Sequence, residues 1–180
     1  LPGTRAKAEA LTLIQARVDK KDPEAINFLG DQYSNGWLGL EKNALRAVEL
    51  WTEAAAIGSA DACFGLGLAY ACGDDVEQDV ERGTRFYEKA AMLGHVQARH
   101  NLGCYECGRG NSYRAVRHFL ISAKMGYALS LELIKVMSTQ GHATKSQYTE
   151  ALKGYQDAIE EMKSPDREEA ETSPTIFNQS

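Results

Sequence analysis

The sequence predicts an all-α protein, a right-handed superhelical α-solenoid built from antiparallel helix pairs. Three observations support this fold class. A segment with the pattern A-x-x-x-L-G recurs from Ala25, Ala62 and Ala98, at spacings of 37 and 36 residues. A second, amphipathic segment follows each copy and ends at a glycine. Within the segments apolar residues recur every three or four positions, which is the spacing of one face of an α-helix.

Each copy therefore predicts two helices, and a lone pair cannot bury both of its apolar faces. Neighbouring pairs must stack, which produces a solenoid. A degenerate fourth copy begins only 32 residues after the third. We expect an N-terminal capping helix, three repeats, a degenerate fourth repeat ending in a long capping helix, and a disordered acidic tail. These segments are residues 1–21, 22–126 (divided as 22–58, 59–94 and 95–126), 127–163 and 164–180.

Short polar residues mark the expected helix starts, because their side chains can accept hydrogen bonds from the first helical turn. Thr144, with Gln147 three positions later, fits a capping box. Glycines after the helices favour left-handed C-caps. The other expected N-caps are Asp22, Asn43, Ser59 and Asp79.

Two repeat positions predict the core. The second helices carry an aromatic residue at one shared position, which we expect to be buried. The first helices carry a glycine beside the buried leucine, which would let neighbouring helices approach closely. The aromatic residues are Trp51, Tyr87 and Phe119, and the glycines are Gly30, Gly67 and Gly103.

The composition excludes several classes of protein. The net charge is −5 over 180 residues, which disfavours binding to nucleic acid or to an anionic membrane. No apolar run reaches the roughly 20 residues of a membrane-spanning helix. The first ten residues lack the apolar centre of a signal peptide, and four unevenly spaced cysteines do not form a disulfide framework. We expect a cytoplasmic or nuclear protein with reduced thiols.

One stretch suggests chemistry, because His100, Cys104 and Cys107 lie at i, i+4 and i+7 of a helix. Zinc would need a fourth ligand, for which His118 is the candidate. However, His100 and Cys104 occupy an ordinary repeat position, which favours a groove histidine and structural thiols over a metal or redox site. No nucleophile, metalloprotease or phosphate-loop motif occurs. We therefore expect no enzyme activity, no cofactor and no metal.

The full pattern, A-x-x-x-L-G-x-x-Y followed by K/R-A-x-x-x-[WYF]-x-x-A-A-x-x-G, resembles Sel1-like repeats, which are relatives of tetratricopeptide repeats. Residues 22–126 carry this pattern. The sequence is most similar to diatom and algal members, on the segments GHVQARHNLG, HATKSQY and MKSPDREEA. In the first repeat the matching residues are Ala25, Leu29, Gly30, Tyr33, Ala47, Trp51, Ala54, Ala55 and Gly58.

The sequence departs from this family pattern at several points. Glu106 replaces the tyrosine of the first two repeats, and Lys135 replaces the glycine in the fourth. Bacterial members join two cysteines eight residues apart; here Ala55 stands at the earlier position and Cys63 at the later, so that disulfide cannot form. We expect His95, in a turn between pairs, and His142, before the last helix, at the surface.

We expect a non-enzymatic adaptor or scaffold that binds a peptide or helix of a partner protein in a concave groove. Residues two positions before and after each inward leucine should face this groove, with two arginines at its rim. Residues 96–126 carry a net charge of +4, which favours an acidic partner segment. The expected partner-binding residues are Asn27, Asp31, Phe64, Leu68, Arg99, His100, Cys104, Arg109 and Val136.

Two alternatives stay open. The chain could be an architectural subunit of a larger assembly, docked through its convex face or its ends. It could also be the substrate-binding part of a ubiquitin ligase, because some algal members carry a RING-type finger before their repeats. In the first case, large apolar patches should be exposed on the isolated chain.

Overall fold

A computed structural model describes residues 2–73 and 76–163, so the predicted disorder of residues 164–180 lies outside the described residues. Within the described ranges the secondary structure is helical and contains no strand, which confirms the predicted all-α class. The helices are α1 Pro2–Val18, α2 Pro23–Asn35, α3 Ala44–Ala56, α4 Ala60–Cys72, α5 Val80–Met92, α6 Val96–Gly108, α7 Ser112–Lys124, α8 Ala128–Thr139 and α9 Lys145–Met162.

The chain divides into two compact units, Leu1–Leu102 and Gly103–Ser180, and the division falls within α6. In the first unit, α2 packs against α3 and α4 packs against α5 as antiparallel hairpins. Backbone hydrogen bonds join the facing ends of each hairpin, from Asn43 N–H to the Tyr33 carbonyl and from Asp79 N–H to the Tyr70 carbonyl, both at 2.8 Å.

All the expected N-caps are confirmed. The Ser59 hydroxyl accepts a hydrogen bond from Ala62 N–H at 3.2 Å, and Thr144 and Gln147 form the complete capping box of α9. Asp22, Asn43 and Asp79 likewise accept hydrogen bonds in the first turns of α2, α3 and α5. At the other end, α4 stops at Gly73, whose φ of 75° is the left-handed conformation that glycine adopts readily.

The predicted close approach between helices is confirmed, and its partner in each case is the aromatic residue of the second helix. A Cβ atom added to Gly30 would lie 2.7 Å from the Trp51 ring, and one added to Gly67 would lie 2.5 Å from Tyr87 Cε1. Both aromatic side chains are buried. Each glycine therefore provides the space that the partner helix's aromatic ring occupies.

The second unit repeats this arrangement once. A Cβ atom on Gly103 would lie 2.5 Å from the Phe119 ring of α7, and Phe119 is 1 % exposed. Helices α7, α8 and α9 pack against one another. Their shared core consists of Ala115, Val116, Phe119, Ala123, Leu131, Ile134, Met137, Ala143 and Ala151.

Candidate functional site

A cavity of about 670 Å³ lies in the first unit, between α2 and α4. Asn27 and Asp31 of α2 and Phe64 and Leu68 of α4 all line it. Each pair is four residues apart and therefore lies on one face of its helix. Four of the nine expected partner-binding residues are thus brought together on one groove, called the α2–α4 groove below.

Helix α3 supplies one wall of this groove through Ala44, Val48 and Trp51. Although Trp51 is buried, its indole Nε1–H donates a hydrogen bond to Asp31 Oδ1 at 3.0 Å. Burial raises the pKa of the Asp31 carboxyl group; the Trp51 hydrogen bond opposes that shift, and the negative charge of Asp61 reinforces it. The Asp31 carboxylate is therefore partly desolvated and lies within electrostatic range of the exposed Asp61 carboxylate.

The expectation that His95 lies at the surface is wrong, because only 10 % of its side chain is exposed. Its ring stacks on Phe64, with centroids 4.2 Å apart. Nδ1 accepts a hydrogen bond from Ala98 N–H at 3.2 Å, and Nε2 lies 3.3 Å from Asp61 Oδ1. Burial lowers the pKa of His95, although Asp61 opposes this shift.

His95 was missed because a lone histidine after a glycine looks like a turn residue. The repeat itself carried the necessary signal. His95 lies 36 positions after Ser59, which caps α4 by accepting from the N–H of the residue three positions on. His95 makes the same contact in α6. His142, the other histidine expected at the surface, is exposed.

Asn27 lines the groove but is buried, with only 8 % of its surface exposed. Its Oδ1 atom has no hydrogen-bond partner in the part of the chain that the structure describes. Asn27 also lines a second cavity of about 490 Å³, which α1 and α2 form. Asp31 and Asp61 line that cavity as well, so the same three polar residues face both spaces.

Arg99, which the sequence predicts at the rim of the groove, lies half-buried on α6. Its Nη2 donates a hydrogen bond to the Ala91 carbonyl at the end of α5, at 2.7 Å, which anchors the guanidinium to its own unit. His100 is half-buried, and burial lowers its pKa. Neither residue lines the α2–α4 groove.

The remaining expected residues lie in the second unit. Cys104 and Val136 are exposed. Arg109 is exposed too, and its Nη1 donates to the Tyr105 hydroxyl at 2.8 Å. A role of these residues in partner binding stays a prediction.

The surroundings of the cysteines do not favour a redox or metal-binding role for their thiols. Cys63 is buried, whereas Cys104 and Cys107 are exposed, and none of these three cysteines forms a disulfide bond. Burial raises the pKa of Cys104 and of Cys107, which disfavours the reactive thiolate. Within the described residues, no group of three or more histidine, cysteine or acidic side chains could hold a metal ion.

With this geometry in place, comparison with known proteins decides the family. The sequence model of the Sel1 repeat matches residues 23–59, 60–95 and 96–127, more than half of the chain. The chain belongs to the Sel1 repeat family. Sel1 repeats typically mediate protein–protein interactions, and their solenoid is generally a non-catalytic scaffold.

Two solved structures share the fold with a TM-score of 0.72. One is a Sel1 repeat protein from Oxalobacter formigenes, 26 % identical, covering 85 % of this chain and 64 % of that chain. The other is c5321, a protective antigen of uropathogenic Escherichia coli with an SLR fold, 28 % identical, covering 84 % of this chain and 33 % of that chain. They confirm the predicted all-α repeat fold.

Among curated proteins, the chain is 34 % identical to Protein SHC1 of Saccharomyces cerevisiae over 83 residues, 46 % of this chain. That match spans only 16 % of the yeast protein's length. The expected similarity to diatom and algal members stays a prediction. No helix in the described ranges is long and apolar enough to cross a membrane.

Proposed function

We propose that this chain is a non-enzymatic adaptor that binds a peptide or helix of a partner protein in the α2–α4 groove. The observation that carries the proposal is the groove itself, a cavity of about 670 Å³ lined by both apolar and polar side chains at repeat-aligned positions. Peptide-binding grooves combine apolar anchor pockets with polar groups that orient the main chain.

The groove offers both kinds of contact. Leu68 is 39 % exposed and, with Phe64, forms an apolar surface on α4 for a partner side chain. Ser34, Asn35 and Gln97 line the same cavity, and their hydroxyl and amide groups can pair with a peptide main chain.

The test is selection of random 12-residue peptides displayed on phage against the complete chain. Binding of the selected peptides is then measured with two groove variants. Leu68→Ser removes an exposed apolar contact, and Ser34→Trp fills the groove with a large ring. Leu45→Ser is the matched control, because Leu45 is 71 % exposed on α3 and lies outside the groove.

We expect both groove variants to weaken peptide binding at least tenfold and the control to leave it unchanged, with the far-ultraviolet circular dichroism of all three intact. Unchanged binding in both groove variants would contradict the proposal. Phe64→Ser is less informative, because Phe64 also stacks on His95 and contacts the Tyr87 ring at a centroid distance of 5.8 Å.

An acidic partner segment is a finer part of the proposal and concerns the basic third repeat. There Arg114 lies 3.5 Å from Glu106, and the Arg117 guanidinium lies 5.9 Å from the Tyr113 ring centroid. The exposed arginines of α7 support attraction of an acidic segment to the second unit. A cytoplasmic or nuclear location and the absence of nucleic-acid binding also stay proposals.

An architectural subunit of a larger assembly is the second candidate function. The exposure of Leu45, Met92 and Leu129, at 71 %, 84 % and 58 %, favours it, because buried contacts with a neighbour would cover such side chains. Sedimentation of the isolated chain discriminates the two candidates: an adaptor stays monomeric, whereas an obligate subunit self-associates. A role beside a RING-type finger would instead require such a domain elsewhere in the full protein.

A further inference from the structure

Three polar side chains of the first unit form a cluster with an excess of hydrogen-bond acceptors. This Asn–Asp cluster consists of Asn27, Asp31 and Asp61. All three line both the α2–α4 groove and the cavity between α1 and α2. The cluster therefore lies where the two cavities share their lining.

Asn27 gives an independent observation, a buried acceptor atom without a hydrogen-bond partner in the described part of the chain. The residue is more than nine-tenths buried, and its Oδ1 atom accepts no hydrogen bond within the described residues. Leaving a buried polar atom without a partner has a free-energy cost. A donor from a bound molecule would remove that cost.

Neither carboxylate of the cluster is neutralised by a lysine or an arginine in the part of the chain that the structure describes. Arg17 lines the second cavity, but Asp22 engages its guanidinium at 2.7 Å. Asp31 receives only the Trp51 indole at Oδ1. The partner of Asp61 is the imidazole of His95, and burial lowers the pKa of that imidazole, so it stays neutral to a lower pH than an exposed histidine.

We propose that the Asn–Asp cluster binds the guanidinium group of an arginine side chain in the segment that occupies the α2–α4 groove. A guanidinium carries five N–H donors in a plane, which suits one amide oxygen and two carboxylates on different helices. Its apolar face can stack on aromatic rings, and Phe64 lines the same groove. This inference rests on the proposed function and names the partner's chemistry.

The α2–α4 groove and the basic third repeat should therefore attract segments of opposite charge. An acidic segment would meet Asp31 and Asp61 with repulsion, and burial of a like charge beside two carboxylates is unfavourable. The segment in the α2–α4 groove should therefore carry an arginine, whatever the second unit binds.

The test uses the Trp51 indole as a local probe, since it donates directly to Asp31. The complete chain is labelled with ¹⁵N and carries Trp37→Phe, which removes the other tryptophan. It is titrated with N-acetylarginine amide, and separately with the neutral analogue N-acetylcitrulline amide, with N-acetyllysine amide and with CaCl₂, at constant ionic strength.

We expect a saturable shift of the Trp51 indole resonance with the arginine amide and a much smaller one with citrulline. Asp61→Asn should weaken arginine binding roughly tenfold, as expected for one charge-assisted hydrogen bond. Glu88→Gln is the control, because Glu88 is an exposed acid outside both cavities. An equal response to lysine amide or CaCl₂, or no saturable response to arginine, would overturn the inference.

Failure of the inference and failure of the proposed function are distinguishable. Peptides that bind the groove, lose affinity in Leu68→Ser, carry no arginine and ignore Asp61→Asn would uphold the adaptor and refute the guanidinium site. An arginine response at Trp51 without any groove-binding peptide would uphold the site and refute the adaptor.

Discussion

The close contact between Gly67 and Tyr87 allows a sharp prediction. Gly67 lies in the middle of α4, and the ring of Tyr87 in α5 occupies the space where a side chain would stand. A Cβ atom at Gly67 would lie 2.5 Å from Tyr87 Cε1, closer than side chains pack. Since the ring is buried and its hydroxyl is hydrogen-bonded with Asn101, it cannot move aside freely.

Two opposing contributions determine the effect of Gly67→Ala. Overpacking a core costs about 1–3 kcal/mol, and the confined ring places this site near the upper end of that range. Alanine is favoured over glycine inside a helix by about 1 kcal/mol. The free energy of unfolding should therefore fall by about 2 kcal/mol.

Urea unfolding, followed by circular dichroism and tryptophan fluorescence, measures this change. Gly108→Ala is the matched control, because a Cβ there meets nothing within 4 Å, and its stability should equal or exceed that of the wild type. In a Tyr87→Leu background, the cost of Gly67→Ala should shrink. A Gly67→Ala variant as stable as the wild type would refute the packing argument.

Three further predictions concern the core, the partly buried His95 and the thiols. Leu66 is fully buried, so Leu66→Ala should lower the free energy of unfolding by about 2–5 kcal/mol in urea titrations, and a loss below about 1 kcal/mol would contradict its core role. Burial lowers the pKa of His95, so the unfolded chain binds the proton more tightly. Stability should be complete above the unfolded pKa of about 6.5 and fall as the pH decreases through it. Thermal melts across this range should show a smaller fall for His95→Gln, and an unchanged fall would contradict the assignment. A thiol reagent should label exposed Cys107 well before buried Cys63, and equal rates would count against this burial.

Local and repeated features were predictable from the sequence. The cap residues Asn43 and Asp79 act within their own first turns, so their role depends on neighbours only three positions away. The glycine and aromatic positions were predictable because the same pair recurs at the same spacing. Repetition makes the contact between glycine and aromatic ring predictable, since each copy must pack in the same way.

The sequence did not reveal the environment of the polar residues that line both cavities of the first unit. Asn27 and Asp31 were expected on the groove, but burial of the Asn27 amide without a partner was not. The proximity of Asp61, in the next repeat, could not be inferred from α2 alone. Such features depend on distances between helices, which no periodic pattern encodes.

The sequence by itself thus determined the helices, their caps, their pairing and the core positions, because these follow from local hydrogen bonding and repeating hydrophobic burial. Only the tertiary structure decided which polar groups are satisfied. It buried His95 against Phe64 and tied Arg99 to the Ala91 carbonyl. The physical reason is that desolvation and the supply of hydrogen-bond partners at a side chain depend on the helices that pack around it, as well as on its own position in the repeat.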